Sequence, residues 1–156
     1  MSRRNISKKR FSQPDSTYNS YLVSLLITRI LKSGKKTLAQ NIIKGAFEII
    51  KDKTKEDPLF IFEKAIKNAS PVIEVKARRV GGSTYQVPVE VSARRGSALA
   101  LKWLKTSIEN IKSKDLASKI TVVILESLEN KGWAAKKKEE VFKMAEANKA
   151  FAHYKW

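Results

Sequence analysis

Apolar residues recur three and four positions apart along most of this chain, and the period changes once, near its middle. From Tyr21 the residues Leu22, Leu25, Leu26, Arg29 and Ile30 follow helical spacing, and Gly34 fits the stop after that helix, with Lys35 and Lys36 in the loop beyond. A second helix is predicted from about Thr37 to Lys53, with Leu38, Ile42, Ala46 and Ile49 on one face. Asp57-Pro58 reads as an N-cap followed by proline at the first helical position, where its missing N–H costs nothing. The third helix carries Phe60, Ile61, Ala65 and Ile66 and ends before Pro71.

The period then drops to two. Ile73, Val75 and Ala77 alternate with Glu74, Lys76 and Arg78, and Val87, Val89 and Val91 alternate with Pro88 and Glu90, a half-buried strand pattern on both sides of Gly81-Gly82. One long antiparallel hairpin over about residues 72–91 is expected, with Pro88 on an exposed edge because it cannot donate to a ladder. Helical spacing returns for three segments. The first runs from about Ala93 with Ala100, Leu104, Ile108 and Ile111, and the second from about Asp115 with Leu116, Ile120, Val123, Ile124 and Leu128. The third runs from about Trp133 to Asn148, after a break at residues 130–132. The fold class is therefore mainly α: about six helices in a bundle with one protruding β-hairpin. Residues 1–19 lack apolar periodicity and read as a flexible basic arm, and residues 20–156 read as a single domain without repeats.

Composition changes the picture through charge. Against 15 acidic residues stand 32 basic ones, a net +17 on 156 residues, which repels itself unless a polyanion neutralises it. Nucleic acid is the first candidate and an anionic membrane surface the second. Residues 1–10 carry +5 (Arg3, Arg4, Lys8, Lys9, Arg10). Residues 76–95 carry +4 (Lys76, Arg78, Arg79, Arg94, Arg95 against Glu90), and residues 131–138 carry +4 (Lys131, Lys136, Lys137, Lys138). By contrast, residues 44–69 hold six basic and five acidic residues, an ordinary solvated surface. Clusters at an arm, a hairpin and a loop-to-helix junction, with no amphipathic apolar face beside them, favour RNA over a membrane. The hairpin end offers guanidinium forks, a Tyr85 ring for stacking and close backbone approach at the glycines. Packing of Tyr85 across the strands is the structural alternative.

Enzyme chemistry has little to stand on. Cysteine is absent, so thiolate metal sites and cysteine nucleophiles are excluded, and His153 is the one histidine. Gly34-Lys35-Lys36-Thr37 looks like the end of a phosphate-binding loop, but Arg29 and Lys36 stand where the motif needs Gly and Ser or Thr. Glu139 and Glu140 are consecutive and diverge on a helix. Neither a cofactor nor a metal is expected. Met1-Ser2-Arg3-Arg4 has no apolar stretch behind it, so a secretory signal is not expected, and no apolar run approaches the ~20 residues of a membrane span. Trp103 reads as core or semi-core, and Trp133 and Trp156 as packing residues ahead of base stacking.

The run Val75-Lys76-Ala77-Arg78-Arg79-Val80-Gly81-Gly82-Ser83-Thr84-Tyr85-Gln86-Val87-Pro88-Val89-Glu90-Val91 closely resembles the ribosomal protein seven family of the small subunit, bacterial or plastid type. So does the stretch from Met144 to Trp156, together with Arg3-Arg4, Gly34-Lys35-Lys36 and Ala98-Leu99-Ala100-Leu101-Lys102-Trp103. The resemblance implies a non-enzymatic structural constituent that binds the 3′ major domain of small-subunit rRNA during assembly of the subunit head. It implies rRNA contact at Arg3, Arg4, Lys8, Lys9, Arg10, Lys35, Lys36, Lys76, Arg78, Arg94, Arg95, Lys131, Lys136, Lys137 and Lys138. Exit-site tRNA and the mRNA exit path would lie near Arg79, Val80, Gly81, Gly82, Ser83, Thr84, Tyr85 and Gln86. Head and platform proteins, protein eleven and protein nine, would be neighbours, and the location would be a ribosome of the plastid stroma or of a bacterial cytoplasm. A soluble regulator that binds mRNA through the same surface is the alternative reading. Trp133, Phe142 and Lys155 depart from the residues the family pattern leads one to expect.

Overall fold

In the computed structural model, residues 12–113 and 115–154 are described. Among them the chain forms α1 (Tyr21–Ile30), α2 (Lys36–Thr54), α3 (Pro58–Ala69), β1 (Ile73–Val80), β2 (Ser83–Glu90), α4 (Ala93–Asn110), α5 (Leu116–Leu128), α6 (Gly132–Ala147) and a C-terminal 3₁₀ turn (Lys149–Tyr154). Arg3, Arg4, Lys8, Lys9, Arg10, Lys155 and Trp156 lie outside the described residues. The mainly α bundle with one antiparallel hairpin agrees with the periodicities, and boundaries fall within a few residues of those expected.

Helix α5 lies against α2, α3, α4 and α6, so the bundle is organised around it. Its buried Ile120, Val123 and Ile124 meet Ile43, Phe47 and Ile50 of α2, Ile61, Phe62 and Ile66 of α3, and Leu101 and Leu104 of α4 in one apolar cluster. Each such side chain contributes roughly 1.5–3 kcal/mol on leaving water. At the α2–α5 crossing Gly45 allows close approach, its missing Cβ position lying 3.9 Å from Ala117 Cβ. There the Thr121 hydroxyl donates to the Ala46 carbonyl at 3.2 Å, a buried polar bond between the two helices. Trp103 is core, at 7% exposed.

Helix rotation differs from the sequence expectation. The inward face of α2 is Ala39, Ile43, Ala46, Phe47 and Ile50, and Leu38 is 54% exposed. Ile42 and Ile49 flank the seam, half-buried. The apolar arc of α2 is wide, and tertiary partners choose its centre: the Phe47 ring sits 4.9 Å from Tyr18 and 5.6 Å from Phe62. Helix α1 likewise centres on Val23, Leu26 and Ile27, with Leu22, Leu25 and Ile30 beside them. Phe60 is 60% exposed although its neighbours Ile61 and Phe62 are buried.

Within the segment expected as an arm, residues 12–19 are described. Asp15 is buried, and its carboxylate accepts from the Thr17 and Tyr18 amides and from Gln40 Nε2 on α2 at 3.1 Å. Burial alone would raise the Asp15 pKa, but these bonds and the Lys36 charge outweigh it and hold the carboxyl below its ordinary value. Residues 12–20 are therefore fastened to the body.

Candidate nucleic-acid interface

The hairpin strands pair without interruption from Ile73 opposite Glu90 to Val80 opposite Ser83. Gly81 and Gly82 close the turn with φ of +56° and +91°, the two positive values that a two-residue turn needs to match the strand twist. A Cβ on either glycine would meet nothing within 4 Å. Glycine is thus required by the backbone's hand and not by crowding, and it leaves a bare tip open to a ligand. The register places Arg79 opposite Thr84 on one face and Arg78 opposite Tyr85 on the other. Arg79, Gly81, Gly82, Ser83, Thr84 and Gln86 are exposed, and Arg78, Val80 and Tyr85 are half-buried.

The same register corrects the strand reading. Lys76, not an apolar residue, faces Val87, so the Ile73-Val75-Ala77 set and the Val87-Val89 set lie on opposite faces and the ribbon has no single dry side. Glu74, expected to point to solvent, is buried. Its carboxylate takes Arg95 Nε at 2.8 and 2.7 Å and Lys76 Nζ at 3.0 Å. Burial would raise the Glu74 pKa, and the two cations reverse that and hold it low. Of the expected RNA-facing cations, Arg95 thus fixes the hairpin root to α4 and Lys76 pairs within β1, while their side chains stay 53% (Arg95) and 44% (Lys76) exposed.

Three helix starts share a pattern. Lys35 at the cap position of α2, Ser92 at that of α4 and Lys131 at that of α6 give no side-chain cap, and no acid occupies the first turn of any of them. The positive end of the helix dipole stands there beside cations with no carboxylate to cap it, although at α2 the Lys36 amide donates to the Gly34 carbonyl at 2.8 Å, and the arrangement favours an anion. At two of the starts a cation pairs with an acid from another segment or loop, Arg95 with Glu74 at 2.7 Å and Lys131 with Glu129 at 2.8 Å, and at the third the Lys36 charge helps to hold the Asp15 pKa down. Lys35, Arg94 and Lys136 are exposed beside them.

Two cations of the 131–138 cluster have internal roles. Lys138 Nζ donates to the Asn68 carbonyl at 2.6 Å, tying α6 to the end of α3, and Lys137 pairs with Glu140 at 2.7 Å. Trp133 is half-buried against the core. The Tyr85 ring lies 5.2 Å from Phe151 and 5.3 Å from Tyr154. Those partners come from the C-terminal turn, and the Phe151/Tyr154 spacing on one side of a 3₁₀ turn was the available signal for them. Among the described residues no group of three or more His, Cys, Asp or Glu is placed to hold a metal ion, and no helix is long and apolar enough to cross a membrane.

A helical body with basic helix starts and a bare, arginine-bearing ribbon defines a polyanion-binding protein. The sequence profile described as Ribosomal protein S7p/S5e matches residues 2–149, and the chain belongs to that family. It is 63% identical over 144 residues to "Small ribosomal subunit protein uS7c" of Trieres chinensis, covering 92% of this chain and 91% of the relative. It is 53% identical over 156 residues to "Small ribosomal subunit protein uS7" of Microcystis aeruginosa, and 49% over 156 residues to the protein of that name from Dictyoglomus thermophilum, covering 100% of each chain. The protein is a structural, non-enzymatic component of the small ribosomal subunit.

Proposed function

We propose that this chain binds and organises the 3′ major domain of small-subunit rRNA in the subunit head. The observation that carries this reading is the trio of basic starts at α2, α4 and α6, where Lys35, Arg94 and Lys136 stand exposed near first-turn amides that no side chain caps. Folded RNA offers phosphates at several points of a rigid shape, and binding of this kind proceeds by counterion release and shape recognition. Arg3, Arg4, Lys8, Lys9 and Arg10 add a basic segment to the same task. The bare tip, Arg79 to Gln86, lies toward exit-site tRNA and the mRNA exit path, with proteins eleven and nine as neighbours. The 63% identity to the uS7c protein supports a plastid ribosome over a bacterial one.

The test is binding of the full chain to an rRNA fragment spanning the 3′ major domain, measured across a salt series. Tight binding whose log affinity falls steeply with log salt is expected, and salt-insensitive binding would sink the proposal. Replacing Arg78 and Arg79 by Ala should weaken binding roughly tenfold and lower the salt slope by about 1–2 without changing the helical signal. Unchanged affinity and slope would remove the hairpin from the interface.

A further inference from the structure

A two-stranded ribbon alone is marginal in water, and this one has no dry face on which to lie. Its root is fixed: Val87 is fully buried and Glu74 holds Arg95. The tip half is also attached on the Arg78 face. There Tyr85 meets Phe151 at 5.2 Å and Tyr154 at 5.3 Å, in tilted geometry. Phe151 and Tyr154 are near-parallel at 12° with centroids 6.4 Å apart. The turn that carries them is closed by the Phe151 amide on the Asn148 carbonyl at 3.0 Å, and by His153, whose Nδ1 lies 2.9 Å from the Ala150 carbonyl and whose ring sits 4.0 Å from Tyr154.

We propose that the C-terminal 3₁₀ turn is a clamp that fixes the hairpin's direction. Tyr85, Phe151 and Tyr154 are then positioning residues for RNA binding, acting through Arg78 and Arg79. The proposal rests on the RNA-binding reading for its functional consequence and on the ring contacts for its structural one. Tyr85 sits directly across the ladder from Arg78, so fixing its ring fixes the strand pair that carries both guanidinium groups. A ribbon held in its bound direction avoids the ordering cost that a loose one meets on binding. Such a device changes affinity without adding a phosphate contact.

The experiment combines Phe151→Ala with Tyr154→Ala in the full chain, against the same 3′ major-domain fragment. Binding should weaken roughly three- to tenfold with the salt slope unchanged, since ordering and not charge is lost. In an Arg78→Ala/Arg79→Ala background the clamp substitutions should cost nothing, because positioning matters only while there are arginines to position. Exchanging the rings, Phe151→Tyr with Tyr154→Phe, should restore wild-type affinity, and Tyr85→Ser should reproduce the loss from the hairpin side. An equal loss in both backgrounds would mean that the rings touch RNA themselves, and no loss in either would mean that the root suffices; both overturn the clamp. Backbone order parameters of Gly81 and Gly82 in the free protein should fall when the clamp is removed, while the thermal midpoint barely moves. Unchanged order parameters would refute the clamp even if the wild-type chain failed to bind this RNA, an outcome that would separately defeat the RNA reading.

Discussion

Helices α3 and α5 begin differently from α2, α4 and α6. Asp57 accepts from the Leu59 amide at 3.1 Å, and Asp115 accepts from the Ala117 and Ser118 amides at 3.3 and 2.9 Å. Each of these helices satisfies its own start with the residue type that suits a positive helix end. Helices α2, α4 and α6 put Lys35, Ser92 and Lys131 there and form no side-chain cap; α1 is likewise uncapped at Ser20 but has no cation in its first turn. The first arrangement serves an isolated protein; the second is poor for an isolated protein and good for one whose amides face phosphate. On the proposed reading, the difference separates what the chain does for itself from what it leaves to RNA.

The largest expected effect comes from the acid that compensates a basic start from a distance. Glu74→Gln removes the charge that holds Arg95 of α4 and Lys76. It should cost about 2 kcal/mol, below the ~3–5 of a fully buried pair because both cations are about half exposed. The pH dependence carries the same sign. The folded-state pKa of Glu74 is depressed, so its contribution is fully present above the unfolded carboxyl pKa and is lost as pH falls through the lower folded value. Asp15, also depressed, adds to that acid loss. Thermal melts of wild type and Glu74→Gln over an acid series should converge as pH drops; a constant gap would show that the Glu74 charge is not the source.

The second effect tests the self-sufficient starts. Asp57→Ala should lower stability by about 1 kcal/mol, a fall of roughly 2–4 °C in Tm, while the affinity and salt slope for rRNA stay as in wild type. A drop in RNA affinity at equal folded fraction would blur the division between the two groups of helix starts.

How much of this was legible in the sequence depends on how local each signal is. Asp57-Pro58 and Gly81-Gly82 encode a helix start and a reversed turn within two residues, so both were readable, as were the separate charge clusters. The rotation of α2 was not, because Leu38, Ile42, Ile43, Phe47, Ile49 and Ile50 spread over about half of the helix surface, and the choice of centre was made by the rings of Tyr18 and Phe62 from other segments. The inward turn of Glu74 was hidden for a similar reason: an acid flanked by strand residues gives no sign that Arg95, on the next helix, will meet it. Charge clusters read as one RNA-facing set divide in the fold into anchoring cations, such as Lys138 and Arg95, and exposed ones, such as Arg79 and Lys136.

The smallest effect is the most discriminating, because stability and binding should move in opposite directions. Ser92 stands at the start of α4 without using its hydroxyl as a cap, so Ser92→Ala should change stability by less than about 0.5 kcal/mol. Ser92→Asp gives α4 the kind of start that α3 and α5 have, and should raise the stability of the free protein by about 0.5–1 kcal/mol through the cap and the dipole. The same carboxylate would occupy amides that RNA phosphate is proposed to use and would stand beside Arg94, so rRNA affinity should fall by roughly three- to tenfold. Melting of the free chain and rRNA titration of the same preparation measure both. If Asp at position 92 stabilises the protein and leaves RNA binding untouched, the start of α4 is not part of the interface, and its lack of an acid has no explanation in RNA.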